Sequence, residues 1–301
     1  MTIHPDHLLS FVALVQTGSV SGAAQSRFLT QPAISNQLKR LQKDVGMPLY
    51  RRQGRGVQLT AIGEAFYTHA LKVQQSMQDL NNFADELHGL QAGRIHLSAS
   101  QSIAGSLLPA ALVSFHQKHP HIEVFVDSMN SQQVFERMEH HDLGLVESPL
   151  PSSVPECCTV VHLGEDKLVT VMPMNHPLVA YSSIELAQLE AYPLIWREQG
   201  SGTRDILEKA WMTTMGKRPR IQLCMGGVSA VLESVRQGLG IGMVSQFCLP
   251  TGESMLTTRP LYPQLLRPMS LLQPSHASPL TKKLVNFLIP YLKSRLHASI
   301  R

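Results

Sequence analysis

This 301-residue chain has few of the features that mark secreted, membrane or disulfide-stabilised proteins. No run of about 18 apolar residues occurs, and the first residues, MTIHPD, lack the pattern of a signal peptide. We therefore expect a cytoplasmic protein with no membrane contact. Hydrophobic residues make up 43% and charged residues 16%, which is typical of a globular protein, and the length suggests two or three domains.

Cysteine is scarce, and its spacing excludes a disulfide framework. The four cysteines are Cys157, Cys158, Cys224 and Cys248, and none of them forms a C-x-x-C pair. The vicinal pair Cys157-Cys158 has the spacing of a redox sensor, but buried or incidental thiols are the simpler interpretation.

Motifs of hydrolytic enzymes are also missing. There is no Gly-x-Ser-x-Gly and no His-x-x-x-His with a third ligand, so we expect neither an enzyme nor a resident cofactor or metal. Two histidine-rich spots could bind metal, with solvated histidines as the ordinary alternative: His116, His119 and His121, and His140 with His141.

The positive charge is concentrated at the N-terminus. Residues 1–60 hold seven Lys or Arg against two Asp, a net charge of +5, whereas the remainder holds 19 basic against 20 acidic residues. A basic module attached to a neutral body is expected of a nucleic-acid-binding protein.

The stretch from Ser19 to Leu41 predicts two short helices joined by a tight turn at Phe28-Leu29. Thr30 stands where an N-cap belongs, and Pro32 lies in the first turn, where its missing N–H costs nothing. Apolar residues recur at helical spacing at Ala33, Ile34, Leu38 and Leu41. The residues that fall largely on the other side are Ser35, Asn36, Lys39, Arg40 and Lys43.

Such a polar and basic face suits a helix that enters the major groove of DNA, with short hydrogen-bonding side chains near its start and cations for phosphates. An ordinary amphipathic helix with a solvated face is the alternative. Two short strands predicted around Leu49 and around Val57 flank Gly54-Arg55-Gly56, which is typical of a wing whose tip reaches DNA. An exposed loop with incidental arginines would look the same.

A long helix without Pro or Gly is predicted from Glu64 to His88. Its apolar residues, spaced alternately by four and three, are Phe66, Ala70, Val73, Met77, Leu80, Ala84 and Leu87. This coiled-coil-like seam predicts dimerisation, particularly through Phe66, Val73, Met77, Leu80 and Leu87. Docking of the seam on the C-terminal body of the same chain is the alternative. From Ile95 onward, strands alternate with helices, which predicts parallel α/β packing.

Many residues of the N-terminal region match one family pattern in type and order. They are Phe11-Val12, Gly18-Ser19, Ala23-Ala24, Gln31-Pro-Ala-Ile-Ser35, Leu38, Leu41, Gly46, Leu49, Arg51, Gly54-Arg-Gly56 and Leu59-Thr60-x-x-Gly63. The remainder matches in Leu108-Pro109, Phe115, Pro120, Leu143-Gly-Leu145, His176-Pro-Leu178 and Gly238-Leu-Gly-Ile-Gly242. The chain thereby resembles the LysR-type transcriptional regulators over essentially its whole length.

The resemblance implies an α/β protein with an N-terminal winged helix-turn-helix and a C-terminal effector domain of two subdomains, similar to periplasmic binding proteins. The implied boundaries are 1–60 for DNA binding, 61–90 for the linker dimerisation helix and 91–301 for effector binding. Within the last, subdomain 1 covers about 91–163 and 266–301, and subdomain 2 about 164–265. The chain would cross between them near 162–166 and 264–267.

The resemblance also implies which residues contact DNA. They are Thr30, Gln31, Pro32, Ser35, Asn36 and Lys39 in the recognition helix, with Arg52 and Arg55 in the wing. Position 36 departs from the family, because Asn stands where many relatives carry Arg. Asn reads adenine whereas Arg prefers guanine, so a relative's operator sequence does not transfer.

Ligands of this fold sit between the subdomains, against helix N-termini and loops at strand ends. Three stretches fit that description: Ser98–Ser102, Arg197–Arg204 with two cations, and Met225–Ser229. We expect a small anion or carboxylate held by hydroxyls and helix dipoles at Ser100, Gln101, Ser102, Ser201, Thr203 and Ser229. Each Ser or Thr could equally be a plain N-cap.

The sequence therefore predicts a dimeric or tetrameric regulator, an activator or repressor, that binds promoter DNA under control of a small effector, with RNA polymerase as a possible partner. A ligand-independent architectural DNA-binding protein is the main alternative, since it would not need a cleft. A solute-binding protein would lack the basic module and would carry an export signal.

Overall fold

The computed structural model describes residues 3–53, 56–87, 93–138, 141–151, 154, 158–249, 252 and 254–298. The chain divides into two compact units, Met1–Asn81 and Asn82–Arg301.

The first unit begins with three helices: α1 (Pro5–Thr17), α2 (Val20–Ser26) and α3 (Gln31–Val45). Gly18 ends α1 with a φ of 70°, and Ser19 caps α2 by accepting a hydrogen bond from the Gly22 N–H. Both boundaries follow from the sequence, because glycine adopts positive φ without strain and serine is a preferred N-cap.

A hairpin follows, with β1 (Tyr50–Gln53) antiparallel to β2 (Gly56–Leu59). The predicted wing strands are therefore present, while Gly54 and Arg55 at the predicted tip lie outside the described residues. Buried side chains of the three helices, together with Leu49 and Ala70, form the core of this unit.

The long helix α4 (Ala61–Leu87) agrees with the predicted linker helix. Its seam does not face a single partner, however. Phe66 packs against Phe11 of α1, with ring centroids 5.7 Å apart, and Ala70 is fully buried in the same core. Val73 is 40% and Leu80 67% exposed. Phe66 thus packs on its own unit, and its expected role in dimerisation stays a prediction, because a heptad pattern looks the same whether a residue contacts a second chain or its own domain.

The second unit contains strands and helices in two groups joined by long strands. The first group comprises β3 (Gly93–Ser100), α5 (Leu108–Lys118), β4 (Ile122–Met129), α6 (Ser131–Arg137) and β5 (Leu143–Val146), with a π-helical turn at Ile103–Leu107 before α5. The second comprises β7 (Ile184–Glu185), α7 (Leu186–Leu189), β8 (Leu194–Arg197), α8 (Gly202–Met215), β9 (Leu223–Met225), α9 (Val228–Arg236) and β10 (Ile241–Ser245).

Two long strands connect these groups, β6 (Cys158–Pro173) and β12 (Leu266–Pro274), whereas β11 (Leu256–Tyr262) belongs to the second group. The first part of β6 pairs with β12, and its last part pairs with β10 and β11. The main sheet runs in the order β4-β3-β5-β12-β6-β10-β8-β9, and α10 (Pro279–Ala298) packs on the first group.

The prediction of parallel packing is correct within each group and wrong between them. β3 pairs in parallel with β4 and β5, and β8 with β9 and β10, but β6 is antiparallel to β10, β11 and β12. The sheet is therefore mixed. Separate buried clusters lie on the β3 side and the β8 side, which fits the two-subdomain organisation proposed for residues 91–301.

In the described part of the chain, no single helix is long and apolar enough to cross a membrane. Taken together, α1 and α2 have sufficient length and apolar character, but they bend by 118° at their junction and their apolar side chains fill the core of the first unit.

Candidate functional site

The apolar side of α3 fixes how the helix is presented. Ile34, Leu38 and Leu41 are fully buried in the core of the first unit. The Ser10 hydroxyl of α1 donates a hydrogen bond to Gln37 Oε1 at 2.5 Å, which adds a polar contact between α1 and α3. The rotation of α3 about its axis is therefore determined by packing.

That rotation leaves the predicted recognition residues at the surface. Thr30 accepts a hydrogen bond from the Ala33 N–H at 3.4 Å and caps the helix, as predicted. The residues on the outer side are Gln31, Pro32, Asn36 and Lys39, all exposed, and Ser35, which is half-buried. Arg52 lies in β1, but its side chain falls outside the described residues, as does the whole of Arg55.

The cations on α3 are available to an external anion. Among the described residues, no carboxylate lies within ion-pair distance of Lys39, Arg40 or Lys43. A row of unneutralised cations on one helix is the electrostatic requirement for binding DNA phosphates.

Phe28, in the turn before α3, is a residue that the sequence placed only as part of a loop. It has a φ of +53° and is 95% exposed. A bulky residue rarely adopts this conformation, and such strain concentrates at functional sites. It lies two residues before Thr30, the N-cap of α3.

In the second unit, some of the predicted ligand residues are buried in contacts with other protein groups, and others line a cavity. Ser100 and Thr203 are of the first kind. The Ser100 hydroxyl donates to the Leu145 carbonyl at 3.1 Å, and Thr203 Oγ1 accepts from Arg267 Nη1 at 2.8 Å. Both hydroxyls therefore hold protein segments together, and neither is free in the way that the sequence led us to expect.

Arg267 is the centre of a buried ionic cluster that the sequence analysis missed. Its guanidinium lies 2.8 Å from Asp166 Oδ2 and 3.0 Å from Glu147 Oε1, and all three side chains are almost completely buried. Burial works against the charge of Arg267, but Glu147 and Asp166 outweigh it and raise the pKa. Burial raises the pKa of Glu147 although Arg267 opposes the shift. Ser102, also buried, lies beside Glu147.

Two further ion pairs neutralise Arg197 and Arg204, the cations expected to attract an effector. Arg197 forms a two-pronged ion pair with Glu198, with Nε and Nη2 each 2.8 Å from a carboxylate oxygen. Burial opposes ionisation of Glu198, but the hydrogen bonds and charge of Arg197 lower its pKa overall. Arg204 likewise donates to Glu208 at 2.7 Å. Neither guanidinium is a free anion receptor.

A cavity of about 400 Å³ lies where three segments meet: the turn Gln101–Gly105, strand β4 and the start of α9. We call it the cleft cavity, and its polar lining comes from Gln101, Ser128, Gly227 and Ser229. Gln101 Oε1 accepts from Arg197 Nη2 at 2.6 Å, so its NH₂ group is the donor that remains for a ligand. Two of the predicted residues, Gln101 and Ser229, therefore line one cavity.

The start of α9 forms part of the wall of this cavity. Gly227 is the N-cap and makes no side-chain capping bond; its own N–H donates to Glu198 Oε2 at 3.1 Å. The first N–H groups of a helix have no partner within the helix and favour negative charge. Ser201, in contrast, is buried at the start of α8, where its side chain makes no capping bond.

The alternatives of a metal site and a redox-active cysteine pair receive no support from the geometry of the described residues. The described residues hold no cluster of three or more His, Cys, Asp or Glu suited to a metal. Cys157 and His140 lie outside the described residues, and Cys158, Cys224 and Cys248 are free thiols. Burial raises the pKa of the Cys248 thiol.

Two family profiles match the chain. One, described as "Bacterial regulatory helix-turn-helix protein, lysR family", matches residues 5–64, and another, "LysR substrate binding domain", matches residues 88–293. The HTH-type transcriptional activator CmpR of Synechocystis is 34% identical over 241 residues, which cover 79% of this chain and 78% of that protein.

Solved structures give the same fold. CbnR, a LysR family transcriptional regulator, superposes with a TM-score of 0.72 over 96% of this chain and 99% of that one, at 18% identity. The regulatory domain of CcmR from Synechocystis, solved in complex with 2-PG, has a TM-score of 0.60 and 25% identity over 66% of this chain and 97% of that domain. With both units matched in sequence and in fold, the chain belongs to the LysR family of DNA-binding transcriptional regulators with an effector-binding domain.

Proposed function

We propose that this regulator binds a small anion or carboxylate in the cleft cavity and that ligand binding changes how α3 engages promoter DNA. The observation that supports effector binding is the convergence of the Gln101 amide, the Ser229 hydroxyl and the first turn of α9 on one cavity. The CcmR regulatory domain is 25% identical and was solved with 2-PG, which supports a small ligand in this type of domain.

The proposed DNA contacts are Gln31, Ser35 and Asn36 to base edges and Lys39 to phosphate, with Thr30 and Pro32 setting the start of the helix and Arg52 and Arg55 contacting DNA from the wing. Exposure of the outer side of α3 supports this assignment. Self-association through α4 would present two such helices to the two halves of an operator, as family members with paired half-sites require.

The proposal is one of binding and not of catalysis, in keeping with a family of transcriptional regulators. The described residues include a serine–histidine contact, with Ser98 Oγ 2.5 Å from His141 Nδ1, and His141 Nε2 lies 3.8 Å from Asp127. Because Ser98 is fully buried, its hydroxyl has no access to a substrate, and we assign the contact to packing. A regulator of bacterial-type promoters works in the cytoplasm, which is where we propose this chain acts.

Gly105 offers a sharp test of the effector site. A Cβ at this position would meet no heavy atom within 4 Å, so Gly105→Ala fits without a clash, whereas the side chain of Gly105→Leu would occupy the cleft cavity. We expect Gly105→Leu to lose the effect of 2-PG and other small anions on operator footprints while operator binding itself persists. Gly105→Ala is the matched control and should respond like the parent chain.

A full effector response by Gly105→Leu would show that the ligand binds elsewhere. If no small anion altered the footprint of the parent chain, the architectural alternative would be favoured. The DNA assignment is tested separately: Ser35→Ala should weaken operator binding with little change in affinity for unrelated DNA, since a base contact carries sequence preference and a phosphate contact does not.

A further inference from the structure

A second cavity of about 500 Å³ lies in the β8 half of the second unit and shares no lining residue with the cleft cavity. Its walls are the loop between α7 and β8, the inner part of β8, the side of α8 and the segment 217–222. Its volume falls in the range of small-molecule sites.

Two buried tryptophans line this second cavity. Trp196 is 2% and Trp211 4% exposed, and their rings meet edge to face with centroids 6.0 Å apart. The two indole rings supply an aromatic wall to the cavity, on which the apolar body of a ligand can pack.

The net charge of the residues that line the second cavity is positive. Arg218 and Arg220 line it, both are exposed, and neither forms an ion pair with any described residue. Lys217 is paired with Glu190, the acidic residue of the lining, so that carboxylate is already neutralised. Guanidinium groups bind carboxylate or phosphate through paired hydrogen bonds, and this geometry selects an anionic ligand.

The remaining lining combines apolar residues with the polar side chains of Tyr192 and Gln222. Leu189, Pro193 and Leu194 contribute aliphatic surface beside the indole rings. We propose that the second cavity is a binding site for a small organic carboxylate, whose acid group is held by Arg218 and Arg220 and whose apolar body packs against the tryptophans.

Strand β8 connects this site with the cleft cavity. Trp196 and Arg197 are consecutive residues, so their side chains point to opposite faces of the strand. Trp196 lines the second cavity, and Arg197 holds Gln101 of the cleft cavity at 2.6 Å. A carboxylate bound in the second cavity thus contacts β8, the strand whose Arg197 positions the Gln101 amide in the cleft cavity.

The chain contains two tryptophans in all, and both line the second cavity, so intrinsic tryptophan fluorescence is a direct reporter of its occupancy. The full-length protein is titrated with cyclohexanecarboxylate, which has an acid group on an apolar body and does not absorb with tryptophan. We expect a saturable change in emission. Arg218→Ser and Arg220→Ser should each raise the Kd roughly tenfold, the usual effect of losing one charge-assisted contact.

Two controls establish whether the change in emission arises from an acid group bound at this cavity. Cyclohexanecarboxamide has nearly the same shape without the charge and should bind much more weakly. Lys282→Ser removes one exposed cation from α10, outside the lining, and should leave the Kd unchanged. The proposal is overturned if no saturable change occurs, if the amide binds as well as the acid, or if Gly105→Leu abolishes the signal while Arg218→Ser leaves it intact.

Discussion

Arg267 on β12 and Asp166 on β6 are directly paired in the antiparallel register, with the guanidinium Nε donating to the carboxylate Oδ2 at 2.8 Å. The pair lies where both strands pass from one half of the second unit to the other. Glu147 at the end of β5 and Thr203 at the start of α8 bind the same guanidinium, so one side chain ties together segments from both halves.

Arg267→Met should therefore destabilise the second unit strongly. The substitution removes the cation and leaves Asp166 and Glu147 buried together without compensation. Breaking a buried pair in this way typically costs about 3–5 kcal/mol. Urea unfolding, monitored by tryptophan fluorescence, reports on this unit alone, since both tryptophans lie in it. Lys282→Met, at an exposed position, should change the free energy of unfolding by less than about 0.5 kcal/mol.

Glu147 gives the cluster a defined pH dependence. Its pKa is raised above the ordinary value of 4.5, mainly by burial. A group whose pKa is higher in the folded state stabilises the fold below its unfolded pKa, and that contribution is lost as pH rises through the folded pKa. Glu147→Gln, which stays uncharged, should therefore gain free energy of unfolding relative to the parent chain as pH rises from about 4 toward neutrality. A pH-independent difference between the two proteins would contradict the assigned shift.

The sequence predicted features that depend on neighbouring residues. Thr30 as N-cap, Pro32 in the first turn and the burial of Ile34 and Leu38 all follow from local patterns, and the structure agrees. The assignment of Gln101 and Ser229 to one cavity also followed, through the family resemblance.

What the sequence missed depends on partners distant in the chain. The segment with Glu165 and Asp166 has the composition of a polar loop, but it is part of strand β6, because Arg267 lies opposite Asp166 and supplies the countercharge. The sequence also shows no partner for the Thr203 hydroxyl, because the group that donates to it, Arg267, is distant in the chain. No local periodicity encodes a pairing between residues 101 positions apart.

Arg55, at the predicted tip of the wing, lies outside the described residues and remains a prediction from the sequence. Arg55→Ala should lower affinity for operator and for unrelated DNA to a similar extent, because a phosphate contact carries no sequence information. The slope of log affinity against log salt should decrease by about one. Fluorescence anisotropy over a range of salt concentrations measures both quantities. Unchanged affinity and slope would show that the wing does not contact DNA.

Leu80 is the position on α4 where self-association is most directly tested. Phe66 and Ala70 are occupied by the core of their own unit, whereas Leu80 is 67% exposed in the single chain. Burial of a leucine between two chains contributes about 1.5–3 kcal/mol, so Leu80→Lys should raise the dimer Kd by about tenfold or more. Sedimentation velocity over a range of protein concentrations gives this constant. Thr68→Lys introduces the same charge at another exposed position of α4, on the side of the helix opposite the seam, and should leave the Kd unchanged. Equal effects of the two substitutions would indicate general charge repulsion between helices, and unchanged association of Leu80→Lys would place the interface away from this part of α4.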